Sequence, residues 1–180
     1  ICLYGLYAGL NSNFLLKNGV DFCITGEYEE PLLALIQKVE NHEYSSPADS
    51  RLDMPEGIIG RDRESVPFLQ RTDFPAPSRH ALPSLRNYSR LEHEGEQRLI
   101  GYVEASRGCK HVCTHCPIPP VYGGRFFAIP QEIVMKDISK QIDAGATHIS
   151  FGDPDFLNGP THSLRLVRKM HAKFSSVTFD

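Results

Sequence analysis

Three of the five cysteines, Cys109, Cys113 and Cys116, fall within eight residues of the stretch Ser106-Arg107-Gly108-Cys109-Lys110-His111-Val112-Cys113-Thr114-His115-Cys116-Pro117. Thiolates are soft ligands that favour zinc or iron–sulfur centres. The spacing C-x3-C-x2-C lets three of them curl around one centre without a regular element beneath them. Two chemistries stay open. A closed zinc site is normally tetrahedral and takes a fourth ligand nearby, a place His111 or His115 would fill. A cubane cluster held by three cysteines instead keeps one iron open for chemistry. A second group of polar residues, Gly152-Asp153-Pro154-Asp155, follows an apolar run. It reads either as a ligand-binding strand end or as an Asp-Pro turn leading into a helix.

The elements that must position these residues are legible from periodicity. Gly101 to Ser106 predicts a short buried strand, so the cysteines occupy the loop leaving its C-terminal end, where α/β folds build sites. Pro117, Pro119 and Pro120 are expected to prevent helix formation, and Tyr122-Gly123-Gly124-Arg125 to wrap a cluster or substrate. Pro130 and Glu132 suit a helix's first turn; Val134, Ile138 and Ile142 repeat every four residues, and Gly145 stops the helix. His148 to Phe151 predicts a second strand. A helix from Pro160 carries Leu164, Val167, Met170 and Phe174 on one side, and Val177 to Phe179 predicts a third strand ending beside Asp180.

Upstream, Ile1 to Tyr4 predicts a strand, Leu10 to Lys17 a helix stopped by Asn18-Gly19, and Val20 to Thr25 a second strand. Leu32, Leu33, Leu35, Ile36 and Val39 then predict a helix after Gly26. The βαβα order implies parallel strands with helices packed on them. Cys2 and Cys23 sit in apolar strands as core thiols. Residues 41–100 hold six of the thirteen prolines and no sustained period, and are expected to connect two domains. Within them Arg90 to Glu96 reads as an exposed turn. The fold class is α/β: residues 1–40 as the C-terminal part of a Rossmann-like domain, 41–100 as a linker, and 101–180 as the first units of a β/α barrel.

The bulk numbers exclude several classes. With 41% hydrophobic and 23% charged residues and a net charge of −3, the chain carries no bulk nucleic-acid signal. No apolar run approaches the roughly 18 residues of a membrane span. The first residues lack a signal peptide's charged region. A reducing, cytoplasmic setting is expected, and the odd cysteine count speaks against a disulfide framework. Starting at Ile1 and ending on a strand, the sequence reads as a piece of a longer protein, and residues 1–180 alone are expected to show no turnover.

The motif Cys109-x3-Cys113-x2-Cys116, followed by a helix and a strand ending in Gly152-Asp153-Pro154, resembles the radical S-adenosylmethionine (radical SAM) enzymes. That resemblance implies a 4Fe-4S cluster on Cys109, Cys113 and Cys116 in a partial (β/α)6 barrel. SAM chelates the open iron and is reductively cleaved to a 5'-deoxyadenosyl radical that attacks an unidentified substrate. It also implies an outside reductant of the flavodoxin or ferredoxin kind. The residue before the last cysteine, usually aromatic and close to SAM, is here His115. Gly152 and Asp153 take the place of the residues that bind SAM's amino group, with aspartate where the family has glutamate, so that Asp155 is an alternative. Arg125 and Asp180 are expected near substrate or SAM's carboxylate.

Val20 to Glu30 is similar to the last strand and helix of the cobalamin-binding domain found in one branch of that family, and Thr72 to Arg79 with Leu82-Pro83 resembles its D-x-P-x-P interdomain bridge. This brings in cobalamin as a further cofactor and methyl transfer as one reaction, although the D-x-H-x-x-G cobalt-binding signature is not in this sequence. Gly108 to Pro117 is also similar to the radical SAM methylthiotransferases acting on tRNA or protein, which expect three more cysteines upstream. A zinc-stabilised binding module, with His111 or His115 as fourth ligand, is the non-catalytic alternative.

Overall fold

The computed structural model describes residues 1–41 and 54–180; residues 42–53 of the expected linker lie outside the described residues. The chain gathers into two compact units, Ile1–Thr72 with Cys109–Arg125, and Asp73–Gly108 with Phe126–Asp180. Among the described residues no helix is long and apolar enough to cross a membrane.

In the first unit β1 (Cys2–Tyr4) and β2 (Phe22–Ile24) pair in parallel, with Cys2 opposite Phe22. Between them run α1 (Leu6–Leu10) and α2 (Ser12–Lys17) instead of one helix from Leu10. The break falls at Asn11, whose amide donates back to the Tyr7 carbonyl at 2.9 Å and so competes with helix continuation. Helix α3 (Glu29–Glu40) follows, with Glu29 and Glu30 at its positive end. Its buried side is narrower than its pattern of leucines suggests: Leu35 is buried, whereas Leu33, Ile36 and Val39 are exposed. Burial pushes the Cys2 and Cys23 thiols above their usual range, as expected of core thiols.

The stretch read as a linker contributes a strand to this unit. Strand β3 (Ile58–Ile59) runs antiparallel to β2, pairing Ile58 with Ile24. Arg63 secures the turn beyond it, donating to the carbonyls of Met54 at 2.6 Å and Ile58 at 3.2 Å. Past the end of β2, Phe68 bridges Gly26. Gly26 holds φ +87, and a Cβ there would stand 2.3 Å from the Phe68 carbonyl oxygen, so only glycine fits. Helix α4 (Pro119–Tyr122) also belongs to this unit. The prolines were expected to forbid it, but they occupy its first turn, where a missing N–H removes no intrahelical bond.

The second unit is built on a four-stranded sheet of β4 (Arg90–His93), β5 (Glu96–Val103), β8 (His148–Phe151) and β9 (Thr178–Phe179), in the order β4-β5-β8-β9. The last three are parallel and β4 is antiparallel. What the sequence suggested was an exposed turn at Arg90–Glu96 is a hairpin, because Glu94 (φ +52) and Gly95 (φ +80) form the doubly left-handed two-residue turn that matches strand twist. Two short strands, β6 (Ser106–Gly108) and β7 (Phe126–Ala128), pair antiparallel on either side of the cysteine stretch.

Helices α5 (Gln131–Asp143) and α6 (Pro160–Lys173) make the crossovers. Helix α5 starts after Pro130 and ends at Gly145 (φ +101), where Gly145 donates to Ile142 and Ala146 to Gln141, both at 2.9 Å. This doubly bonded cap satisfies the final carbonyls. Val103, Ile149, Val134, Ile138, Leu166 and Met170 form the core between sheet and helices. Helix α6 is rotated from its expected face: Ser163, Leu166 and Met170 are buried while Leu164 is 50% exposed.

A half-buried ion pair fixes the Pro-rich segment within this unit. Arg79 Nε lies 2.6 Å from Asp137 Oδ1, its Nη2 2.7 Å from Oδ2, and the same Nη2 donates to the Tyr102 carbonyl at 2.9 Å. The bond to Asp137 holds the guanidinium's pKa above its already high value. Beside it the Gln141 amide accepts from Tyr102 N–H and donates to Tyr102 C=O, each at 2.8 Å. One side chain thus does for β5, beyond the end of β4, what a neighbouring strand would do.

Candidate functional site

The cysteine stretch leaves β6 at Gly108 and rejoins the sheet segment at β7, yet it packs as part of the first unit. Cys109 is 8% exposed, Cys116 half-buried and Cys113 exposed, and none of the three is in a disulfide. Cys116 N–H donates to Cys113 C=O at 3.2 Å, so the C-x2-C half is a turn. His111 and His115 are exposed. The chain turns back toward the start of the stretch at Gly123 (φ +57) and Gly124 (φ +82), where a Cβ at Gly124 would stand 3.7 Å from the Lys110 carbonyl oxygen. Arg125 donates from Nη1 to the Leu69 carbonyl at 3.1 Å. A groove of about 520 Å³ runs beside α4 between Glu56, Leu69, Gln70 and Arg125.

Among the described residues no three His, Cys, Asp or Glu side chains converge closely enough to hold a metal as they stand. The fit of a metal group therefore rests on donor chemistry. Three thiols on one glycine-flanked turn, Cys109 buried and Cys113 exposed, are of the donor type that suits a three-thiolate cluster. A closed zinc site would need a convergent fourth ligand, and His111 and His115 are both exposed.

In the second unit Gly152 and Asp153 stand at the C-terminal end of β8, as expected. Gly152 N–H donates to Val103 C=O at 2.8 Å, and a Cβ at Gly152 would collide with the Tyr102 hydroxyl at 1.7 Å. The Tyr102 hydroxyl in turn reaches the Gly152 carbonyl at 3.4 Å. Burial, then the charges of Glu104 and Asp153, push the Tyr102 phenol above its usual range. Asp153 accepts from Ala105 N–H at 3.0 Å and from the Ser106 hydroxyl, and so ties the end of β8 to the turn that leads to the cysteines. Asp155 instead accepts from Leu157 N–H at 2.9 Å and Asn158 Nδ2 at 2.7 Å, capping the turn before α6.

Asp180 lies on the sheet face opposite the helices. By register Ile100, His148 and Thr178 share that face. The Ser150 hydroxyl donates to Asp180 Oδ1 at 2.7 Å, which lowers the carboxyl's pKa, and His148 Nε2 lies 3.4 Å from the same oxygen. His148 Nδ1 and Arg98 Nη1 both meet the Thr178 hydroxyl, at 2.8 and 2.7 Å. Sequence reading found Asp180 but missed Arg98, His148 and Ser150. Alternation was the available signal: in β8 the polar His148 and Ser150 alternate with Ile149 and Phe151, which puts them on the face away from the core. Ser106 was also missed, and Glu27 was read only as an acid after Gly26 near a helix start, since the partners of both are far away in sequence.

No family profile matches the sequence. Two solved structures share its fold. One is the radical S-adenosylmethionine methyltransferase TsrM from Kitasatospora setae with tryptophan substrate and the SAM analogue aza-SAM bound, with a TM-score of 0.73 at 17% identity, covering 96% of this chain and 33% of that one. The other is TsrM from the same organism with cobalamin and a 4Fe-4S cluster bound, with a TM-score of 0.72 at 16% identity, covering 96% and 34%. The chain therefore spans about a third of the length of the structures it matches. At this identity the likeness establishes the fold, a mixed α/β architecture with parallel sheets, Rossmann-like and part of a β/α barrel.

Proposed function

We propose that this protein is a radical SAM enzyme of the cobalamin-associated branch. Cys109, Cys113 and Cys116 would hold the three ligated irons of a 4Fe-4S cluster. The observation that carries the reading is the C-x3-C-x2-C turn that leaves β6, just past the parallel strand β5, in a fold matched over 96% of the chain. Bound there, the cluster and SAM supply the one-electron chemistry that starts reaction on the substrate.

The chain's own residues would position that chemistry. Cys109 anchors the ligand set from a buried site, and His115 borders it. Asp153 accepts two hydrogen bonds, which leaves acceptor capacity on its carboxylate for an ammonium; with Gly152 it is assigned SAM's amino group. Arg125 is assigned the carboxylate of SAM or substrate, from beside the groove that it lines. Residues 1–40 are assigned to the end of a cobalamin-binding-like domain and 101–180 to the start of the barrel. The reductant is of the flavodoxin or ferredoxin class and the setting cytoplasmic. Cys2 and Cys23 are committed to β1 and β2, which disfavours a second-cluster role of the methylthiotransferase kind.

Metal and sulfide analysis after anaerobic reconstitution tests this. About four irons and four sulfides per chain are expected, and Cys113→Ala should lose them. Stoichiometric zinc without sulfide overturns it.

A further inference from the structure

A buried acid in the first unit begins a line of contacts that ends at the cysteine stretch. Glu27 follows Gly26 and is 2% exposed. Its own N–H donates to Phe68 C=O at 2.8 Å, and the close approach of Gly26 to the Phe68 main chain fixes it further. Glu27 Oε1 accepts from the Tyr122 hydroxyl at 2.9 Å, across 95 residues of sequence. Tyr122 ends α4, which starts three residues after Cys116, and its neighbour Val121 is 4% exposed. From Tyr122 the chain turns through Gly123 and Gly124 toward Lys110, the residue bonded to Cys109, so that a Cβ at Gly124 would stand 3.7 Å from the Lys110 carbonyl oxygen.

We propose that the Glu27–Tyr122 hydrogen bond is a positioning contact that closes the three-cysteine segment. It acts through α4 and the glycine turn, and sets how far Cys109 is sheltered. As a statement about a cluster it rests on the radical SAM reading. Apolar packing of Val121 would hold α4 against the unit in several nearly equal poses, whereas a hydroxyl aimed at one oxygen of a fixed, buried carboxyl selects one. Removing the donor removes that selection, and the segment opens.

The test compares wild type with Tyr122→Phe, Glu27→Gln and Glu27→Leu. Iodoacetamide labelling of the metal-free chain, read residue by residue by mass spectrometry, is followed by iron uptake under anaerobic reconstitution. Tyr122→Phe should raise the Cys109 labelling rate about tenfold and lower iron uptake, while exposed Cys113 and the strand thiols Cys2 and Cys23 keep their rates. Glu27→Gln keeps an acceptor oxygen and should stay within about twofold of wild type. Glu27→Leu should behave as Tyr122→Phe does. A Cys109 rate unchanged in Tyr122→Phe overturns the proposal, and so does a rise shared equally by Cys2 and Cys23, which marks general unfolding. If wild type takes up no iron, the cluster reading fails, and the Cys109 labelling ratio still decides the contact.

Discussion

Removing Arg79 should unfasten the Pro-rich segment from α5 and β5. Asp137 keeps only 5% of its side chain exposed and Arg79 27%, and the two share a two-pronged contact at 2.6 and 2.7 Å. Breaking a fully buried pair by removing one partner costs about 3–5 kcal/mol. Arg79 is partly open to solvent, which screens the pair, so Arg79→Met should cost about 2–3 kcal/mol. The guanidinium also meets the Tyr102 carbonyl at 2.9 Å, so the loss concentrates at β5. Native-state hydrogen exchange of the Tyr102 amide reads it directly, because that amide is bonded to the Gln141 side chain, which contacts Asp137 at 3.4 Å. At tenfold per 1.4 kcal/mol, exchange should quicken by about 30- to 150-fold. Arg79→Met with Asp137→Leu should recover most of the loss, since no unpaired charge remains. Exchange in Arg79→Met within about twofold of wild type would refute the reasoning.

Asp153→Ala should cost about 1–3 kcal/mol by leaving the Ala105 amide and Ser106 hydroxyl without their acceptor, seen as a lower midpoint in thermal unfolding. Gly26→Ala, at φ +87 and 2.3 Å from a main-chain oxygen, should cost about 3 kcal/mol. Gly152→Ala meets only the end of the half-exposed Tyr102 side chain and should cost less than about 1 kcal/mol; denaturant midpoints compare the two. The Asp180 carboxyl, lowered first by its bond from Ser150 and then by His148, contributes stability that is present above its unfolded value near 3.8 and lost as pH falls through the lower folded value. Asp180→Asn should therefore lower stability at neutral pH and flatten the acid limb of a stability–pH curve below about pH 4, where the two curves converge.

What sequence reading reached depended on how local the cause was. The strand His148–Phe151 and the helices after Pro130 and Pro160 stand where their caps and glycines put them, since each signal lies within its own element. Charge hid the hairpin: Glu94-Gly95 is a turn pair of the Asp-Gly kind, but the glutamates around it read as an exposed loop. Prolines hid α4, because their effect depends on whether they fall in a first turn or later. The side chains that fix the site were least legible. Arg79 meets Asp137 across 58 residues, Asp153 meets Ser106 across 47 and Glu27 meets Tyr122 across 95, and nothing in a single sequence pairs such residues. The cysteine motif stood out because donor type and spacing are local features of the sequence, and its assignment to a cluster is the proposal they carry.

Electron paramagnetic resonance of the full chain, reconstituted anaerobically with iron and sulfide and then reduced, tests the central claim most directly when run with and without SAM. The expected result is a cubane signal that changes on adding SAM and vanishes in Cys113→Ala. A cluster signal indifferent to SAM, or no cluster signal beside one tightly held zinc, would contradict it.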